Sequence, residues 1–175
     1  MSVIDPSEVV RVDPELVDDE RGMLDQWLDY HRATLLMKCA GLDAEQLRRR
    51  SCAPSTLSLL GLVRHMTDVE RGWFLRGVAG RPRTEVPPLY YDDDNVDGDF
   101  DDLDDTDPDA VFATYRQTLD EIRAATAGAD LEASFERGDQ RISFRWVYLH
   151  MLEEYARHNG HADLLREAID GATGE

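Results

Sequence analysis

Lysine is almost missing from this chain: of its nineteen basic residues only Lys38 is not arginine. Acidic residues number 37, which gives a formal net charge of −18 at pH 7. Affinity for nucleic-acid phosphates comes from clustered lysine and arginine, so no nucleic-acid partner is expected. Cysteine is scarce as well. Cys39 and Cys52 are too few for a disulfide framework and lack CxxC spacing, so they are expected as buried or half-buried free thiols in a reducing cytoplasm. No apolar run approaches the roughly 20 residues that a membrane-spanning helix needs, and no membrane partner is expected. The opening stretch, "MSVIDPSEVVRVDPE", has no basic segment followed by an apolar one, so no secretory leader is expected.

What is present suits one globular domain over residues 1–175, with 42% hydrophobic residues to build a core. Four segments have helical periodicity. The first is predicted from about Asp13 to Ala40, with Leu16, Met23, Leu24, Trp27, Leu28, Leu35 and Leu36 inward. Gly41 is its stop, and "DAEQLRRR" adds a short turn. The second begins near Thr56 or Ser58, either able to cap it, and runs to about Val78. Its buried stripe is Leu59, Leu62, Met66, Val69 and Trp73. A polar connection of about thirty residues leads to a third helix over about 108–127, with Val111, Tyr115, Leu119 and Ile122 inward. "SFERGDQRISF" reads as a small hairpin around Gly138. The fourth helix covers about Phe144 to Ile169. The expected architecture is an all-α four-helix bundle, a fold that builds its sites from facing helices.

The connection carries a strong local charge. Residues 92–109 contain eleven aspartates and no basic residue or glutamate. Within it "DDNVDGDFDDLD", residues 93–104, superficially fits a calcium loop. Such a loop needs flanking helices and prefers a bidentate glutamate last. Here "EVPPLYY" precedes it and Asp104 ends it. A solvated acidic loop between helices 2 and 3 is expected, one that could shape the mouth of a pocket.

The fourth helix has the most informative face. At about 100° per residue with Met151 as origin, Val147, Tyr155, Ala162, Leu165 and Ile169 form one apolar arc. On the same wheel Glu154 falls at about 300° and His158 at about 340°, within or beside that arc. Glu153, Arg157, Asp163 and Glu167 point to solvent, while His150 and His161 are marginal. An inward carboxylate is costly unless paired or bound to a metal. Glu154 and His158, four apart, are neighbours on one face. On the second helix His65 also points inward, between Leu62 and Val69. A His–Glu–His set from two helices would leave coordination positions open, as catalytic zinc sites do. Each residue also has a plainer reading. A histidine at the edge of an apolar stripe is usually a hydrogen-bonded core residue, and a buried Glu–His pair can be purely structural. His31, beside Asp29, is expected at the surface. No serine triad or P-loop is present, and Arg64, Glu70, Arg145 and Arg157 are candidates to reach a substrate carboxylate or a ligand histidine.

Two stretches carry a resemblance: "STLSLLGLVRHMTDVERGWF", residues 55–74, and "RWVYLHMLEEYARHNGHADLLREAIDG", residues 145–171. With "LLMKCAGLDAEQL" and "PPLYYDDD", they make the chain similar to the DinB-like superfamily. Within it, the chain most resembles the metal-dependent mycothiol maleylpyruvate isomerase-like proteins of actinobacteria. The resemblance implies an up-down-down-up four-helix bundle holding one divalent metal, usually through a histidine on helix 2 and an HxxxH pair on the last long helix. In the isomerase-like branch glutamate replaces the first histidine of that pair. Glu154-Tyr-Ala-Arg-His158 looks like that version, with His65 as the helix-2 ligand. Many relatives continue with Arg-Gly-Gln where this chain has Asn159-Gly160-His161. His161 is therefore read as lining the pocket or backing a ligand, with a fourth ligand as the alternative, and His150 is placed in the same surroundings.

The implied activity is transfer or isomerisation of a low-molecular-weight thiol such as mycothiol on an electrophile, in the cytoplasm. The implied metal is zinc, with nickel, iron or manganese also admitted by such donors. The alternative is a non-catalytic metal-binding bundle acting as a stress-response or small-ligand module. A homodimer is compatible with either.

Overall fold

The structure is a computed structural model and describes residues 2–173, so positions 1, 174 and 175 of the expected domain lie outside the described residues. The chain is mostly helical, with one small sheet of two antiparallel strands. Helix α1 spans Glu20–Cys39, the short α2 Ala44–Arg48, and α3 Leu59–Glu70. From α3 the chain continues without a break into a widened, π-helical stretch, Arg71–Val78, in which the Ala79 N–H reaches back to the Phe74 carbonyl. A one-turn helix α4, Gly98–Asp101, sits in the acidic connection. Helix α5 is Pro108–Thr126, strands β1 and β2 are Ser134–Arg137 and Gln140–Ser143, and α6 is Phe144–Asp170.

Local chemistry explains most of these boundaries. Ser58 caps α3 by accepting from the Gly61 N–H at 3.1 Å, and Ser143 caps α6 through Trp146. Asp43 and Gln46 form a reciprocal capping box on α2. Pro108 occupies the first turn of α5, where its missing N–H costs nothing. The hairpin turns at Gly138, whose φ of 64° is poorly tolerated by other residues.

One boundary differs from expectation. Helix α1 starts at Glu20, well past the predicted start near Asp13. Asp19 caps it, and the preceding segment lies back along the helix: the Glu15 N–H bonds to the Gln26 side chain at 2.7 Å. That amide is satisfied without helix, and Leu16, expected inward, is 95% exposed. Trp27 also departs from the predicted stripe and meets Tyr30 and His31 near the surface.

Packing sets α1 chiefly against α6 and α3 chiefly against α5, while α3 also touches α6. One contiguous apolar cluster joins them, including Leu35, Leu62, Met66, Tyr115, Met151 and Tyr155. Inside it lies a polar network. Arg32 of α1 grips Glu70 of α3 with two bonds, Nε to Oε1 at 2.7 Å and Nη2 to Oε2 at 2.8 Å. The Tyr155 hydroxyl of α6 donates to Glu70 at 2.8 Å, and the Tyr115 hydroxyl of α5 lies 2.8 Å from that of Tyr155. Helices α1, α3 and α6 therefore meet at one carboxylate, and α5 joins them through the Tyr155 hydroxyl. Among the described residues no helix is long and apolar enough to cross a membrane.

Removing one partner of a buried ion pair strands the other charge. Glu70→Ala is expected to destabilise the protein by about 3–5 kcal/mol in denaturant unfolding. Tyr155→Phe, which removes one bond to a charged acceptor, is expected to cost about 1.5–3 kcal/mol. A Glu70→Ala loss below that of Tyr155→Phe would contradict this account of the network.

Candidate metal centre

Along α6 the predicted arc is borne out by burial. Val147, Met151, Tyr155, Ala162 and Leu165 are buried, Ile169 at the far end is half-buried, and Glu153, Arg157, Asp163 and Glu167 are exposed. Between these two faces His158 is buried and Glu154 is half-buried. Tyr155, held by Glu70, fixes the rotation of the helix, and its neighbour Glu154 is thereby turned to the α3 side.

On that side His65, Glu154 and His158 come together. One donor atom from each lies within 4.8 Å of the others. His158 Nε2 is 3.4 Å from Glu154 Oε2, and the His65 and His158 ring centroids are 4.8 Å apart. Burial, then repulsion from His65 and His161, pushes His158 down to about 4, so its ring is neutral near pH 7. A neutral imidazole keeps the lone pair that a metal needs.

The acidic connection contributes directly, which the reading of it as a solvated loop missed. Asp99 is 4% exposed and its Oδ2 lies 2.7 Å from His65 Nδ1. With Nδ1 engaged, Nε2 is the nitrogen left free to act as a donor. Phe100 stacks on the same ring with centroids 4.8 Å apart. The buried Arg64 fastens this segment to α3, donating to the Gly98 carbonyl at 3.0 Å and to that of Asp102. Periodicity could not single out Asp99, because it is one of eleven aspartates in a stretch without regular repeat. The calcium-loop pattern gains nothing: among the described residues, the clusters of three or more close donors include none from residues 93–104.

His161 lies behind His158, with Nδ1 to Nδ1 at 3.4 Å, on the ring edge away from Glu154. It is not in the cluster with His65. His150 is 3.5 Å from Glu154 Oε1 and is packed between two tryptophans, stacked on Trp146 and edge-on to Trp73. With Glu153 and Glu154 it forms a second, more exposed group of close donors. The four residues offered as candidates to reach a substrate carboxylate or a ligand histidine are all engaged elsewhere. Glu70 is in the buried network, Arg64 holds the acidic segment, Arg145 pairs with Glu20 and Glu132, and Arg157 pairs with Glu153. His31 is half-buried rather than at the surface, and its carbonyl accepts from Asn159 at 3.1 Å. Both cysteines are free, and burial pushes the Cys39 thiol up to about 12, so it offers no thiolate.

Two imidazoles and one carboxylate suit a divalent ion of the zinc, nickel, iron or manganese type, and the arrangement passes that test of kind. The Asp99–His65 contact adds the carboxylate partner that metal-bound histidines commonly have.

The protein-family model described as mycothiol-S-transferase matches residues 23–171, most of the chain. No curated protein and no solved structure matches.

The depressed His158 has a consequence for metal-free protein. Its folded pKa lies below its ordinary 6.5, so the fold disfavours the protonated ring. The stability held by neutral His158 is full above about pH 6.5 and is lost as pH falls toward about 4. Thermal melts in chelator across that window are expected to fall more steeply for wild type than for His158→Gln; parallel curves would refute it.

Proposed function

Because the chain belongs to the mycothiol-S-transferase family, a DinB-like family, we propose that it is a metal-dependent enzyme transferring a low-molecular-weight thiol of the mycothiol type to an electrophile. In this reading the helices form an up-down-down-up four-helix bundle. The pairing of α1 with α6 and of α3 with α5 supports it. His65, Glu154 and His158 would hold the ion, most suitably zinc. The observation that carries the proposal is the gathering of these three donors from two helices.

When bound, a divalent ion would lower the pKa of a coordinated thiol and so supply a thiolate nucleophile at neutral pH. The chain's own residues prepare that position. Asp99 orients the His65 ring and leaves one nitrogen free. Burial keeps His158 unprotonated, and His161 backs it. Three protein donors leave coordination positions for a thiol. The nucleophile is expected from outside, since Cys39 is buried and strongly disfavoured as a thiolate.

Purified protein is expected to carry about one divalent ion per chain, as a single three-donor site dictates. Glu154→Ala and His158→Ala should each abolish that content in metal analysis; undiminished metal in both would sink the assignment. Asp99→Asn is expected to weaken metal affinity by about 10–100-fold, because it acts through His65. Metal-loaded protein should conjugate mycothiol to members of an electrophile panel. Metal bound without turnover of any thiol would favour the non-catalytic bundle instead.

A further inference from the structure

The two oxygens of Glu154 face different imidazoles. Oε2 lies 3.4 Å from His158 Nε2, on the side of the three-donor group, while Oε1 lies 3.5 Å from His150 Nε2. Among the described residues no lysine or arginine pairs with Glu154. A half-buried carboxylate without a permanent cation is costly unless a metal reaches it. An ion held by His65, Glu154 and His158 satisfies one oxygen and leaves the other facing His150.

That second oxygen belongs to a second group. His150, Glu153 and Glu154 each place one donor atom within 4.8 Å of the other two. His150 precedes the glutamates by one turn of α6, three residues before Glu153 and four before Glu154, so both can reach its ring. Glu153 divides its oxygens as well. Its Oε1 takes the Arg157 guanidinium, and its Oε2 lies 3.8 Å from His150 Nδ1. Each glutamate thus turns one oxygen toward the same imidazole.

These are spacings of ligands rather than of hydrogen-bond partners. Hydrogen bonds from nitrogen to oxygen run at about 2.7–3.2 Å. Two donors bound about 2.1 Å from one tetrahedral ion stand about 3.4 Å apart. The His158–Glu154 and His150–Glu154 separations, 3.4 and 3.5 Å, both match that edge. The His150 ring is also fixed in place. Trp146 stacks on it with centroids 4.9 Å apart and planes 14° apart, and Trp73 meets it edge-on at 4.8 Å. A donor locked by packing loses little freedom when it binds.

We propose that His150, Glu153 and Glu154 form a second divalent-ion site, and that Glu154 bridges it to the first, one carboxylate oxygen to each ion. The second set has one imidazole and two carboxylates, against two imidazoles and one carboxylate in the first. That harder set suits manganese or ferrous iron as well as zinc. It is the weaker site, because both ions draw on the same negative charge and repel each other across it. It is filled from metal in solution, beyond the one ion that the chain retains through purification. The bridge rests on the three-donor reading of Glu154, whereas the His150 group stands without it.

Calorimetric titration of the metal-stripped full chain with zinc chloride tests this. Two binding phases are expected, totalling about two ions per chain. The second should be weaker by about tenfold or more, a common size for coupling between sites. His150→Phe keeps the aromatic stack but removes the nitrogens; it and Glu153→Gln should each abolish the second phase and leave the first. Arg157→Gln removes the surface ion pair but no donor, and should keep both phases. A single phase in wild type would reduce His150 to a counter-charge for the two carboxylates and overturn the proposal. A second phase that survives His150→Phe, or one that vanishes with Arg157→Gln, would overturn it too. The joint change His65→Ala with His158→Ala separates the two sites. One ion retained there, and lost when Glu153→Gln is added, supports the second site even if the three-donor assignment fails. No ion there, with helix content unchanged by circular dichroism, would overturn the second site. Glu154→Gln should remove both phases, and a weak phase that survives it would defeat the bridge.

Discussion

Glu70 is the residue on which the rest of the arrangement depends. It is fully buried, and a buried carboxylate is tolerable only when its oxygens are occupied. Arg32 fills two bonding positions and Tyr155 a third, which binds α1, α3 and α6 to one another at fixed rotation and height. An apolar core alone would allow α6 to slide or turn by a fraction of a residue at little cost. The network does not, since any such shift opens a bond to a buried charge. Tyr155 immediately follows Glu154, and Glu70 lies five residues beyond His65. The same contact that locks the core thus sets the separation of the candidate ligands.

The second requirement is the docking of the acidic segment. His65 is held from outside the helices, by Asp99 and Phe100 of α4, and α4 is held in turn by Arg64 one residue before His65. Adjacent residues of α3 therefore do complementary work, one fastening the segment and the other receiving its carboxylate. The hairpin plays a comparable part on the far side of Trp73, where Phe135 anchors it and Arg137 projects from it. The helices carry the donors, and the irregular segments decide what surrounds them.

This division matches what could be read from the sequence. Helical periodicity gave α3 with its π-helical continuation, α5 and α6 to within a few residues, and spacing along the helices turned Glu154, His158 and His65 toward the core, where His158 is buried and the other two are half-buried. Capping serine, proline and glycine marked the ends. Where periodicity ceases, legibility ceases with it. The start of α1 was misjudged because the apolar spacing at Leu16 continues past the point where Asp19 takes over as cap and Gln26 satisfies the Glu15 amide. Asp99 was hidden among like neighbours, since its role depends on a contact 34 positions away. Arg64, Arg145 and Arg157 were candidates for a substrate carboxylate or a ligand histidine, because a sequence cannot say which partners they meet first.

The aspartate-rich connection is also a charged spring whose tension depends on the medium. Eleven like charges within eighteen positions repel one another and favour an expanded segment, whereas the bonds from Arg64 to backbone carbonyls draw it onto α3. These opposing forces do not respond equally to salt. Mobile ions screen exposed charges over about 8 Å at physiological ionic strength, but they barely touch a buried hydrogen bond. Added salt therefore relaxes the repulsion and weakens the exposed Arg50–Asp101 and Arg83–Asp93 pairs, while leaving the Arg64 bond to the Gly98 carbonyl in place. A feature that looks like mere surface acidity makes the order around the candidate centre a function of ionic strength.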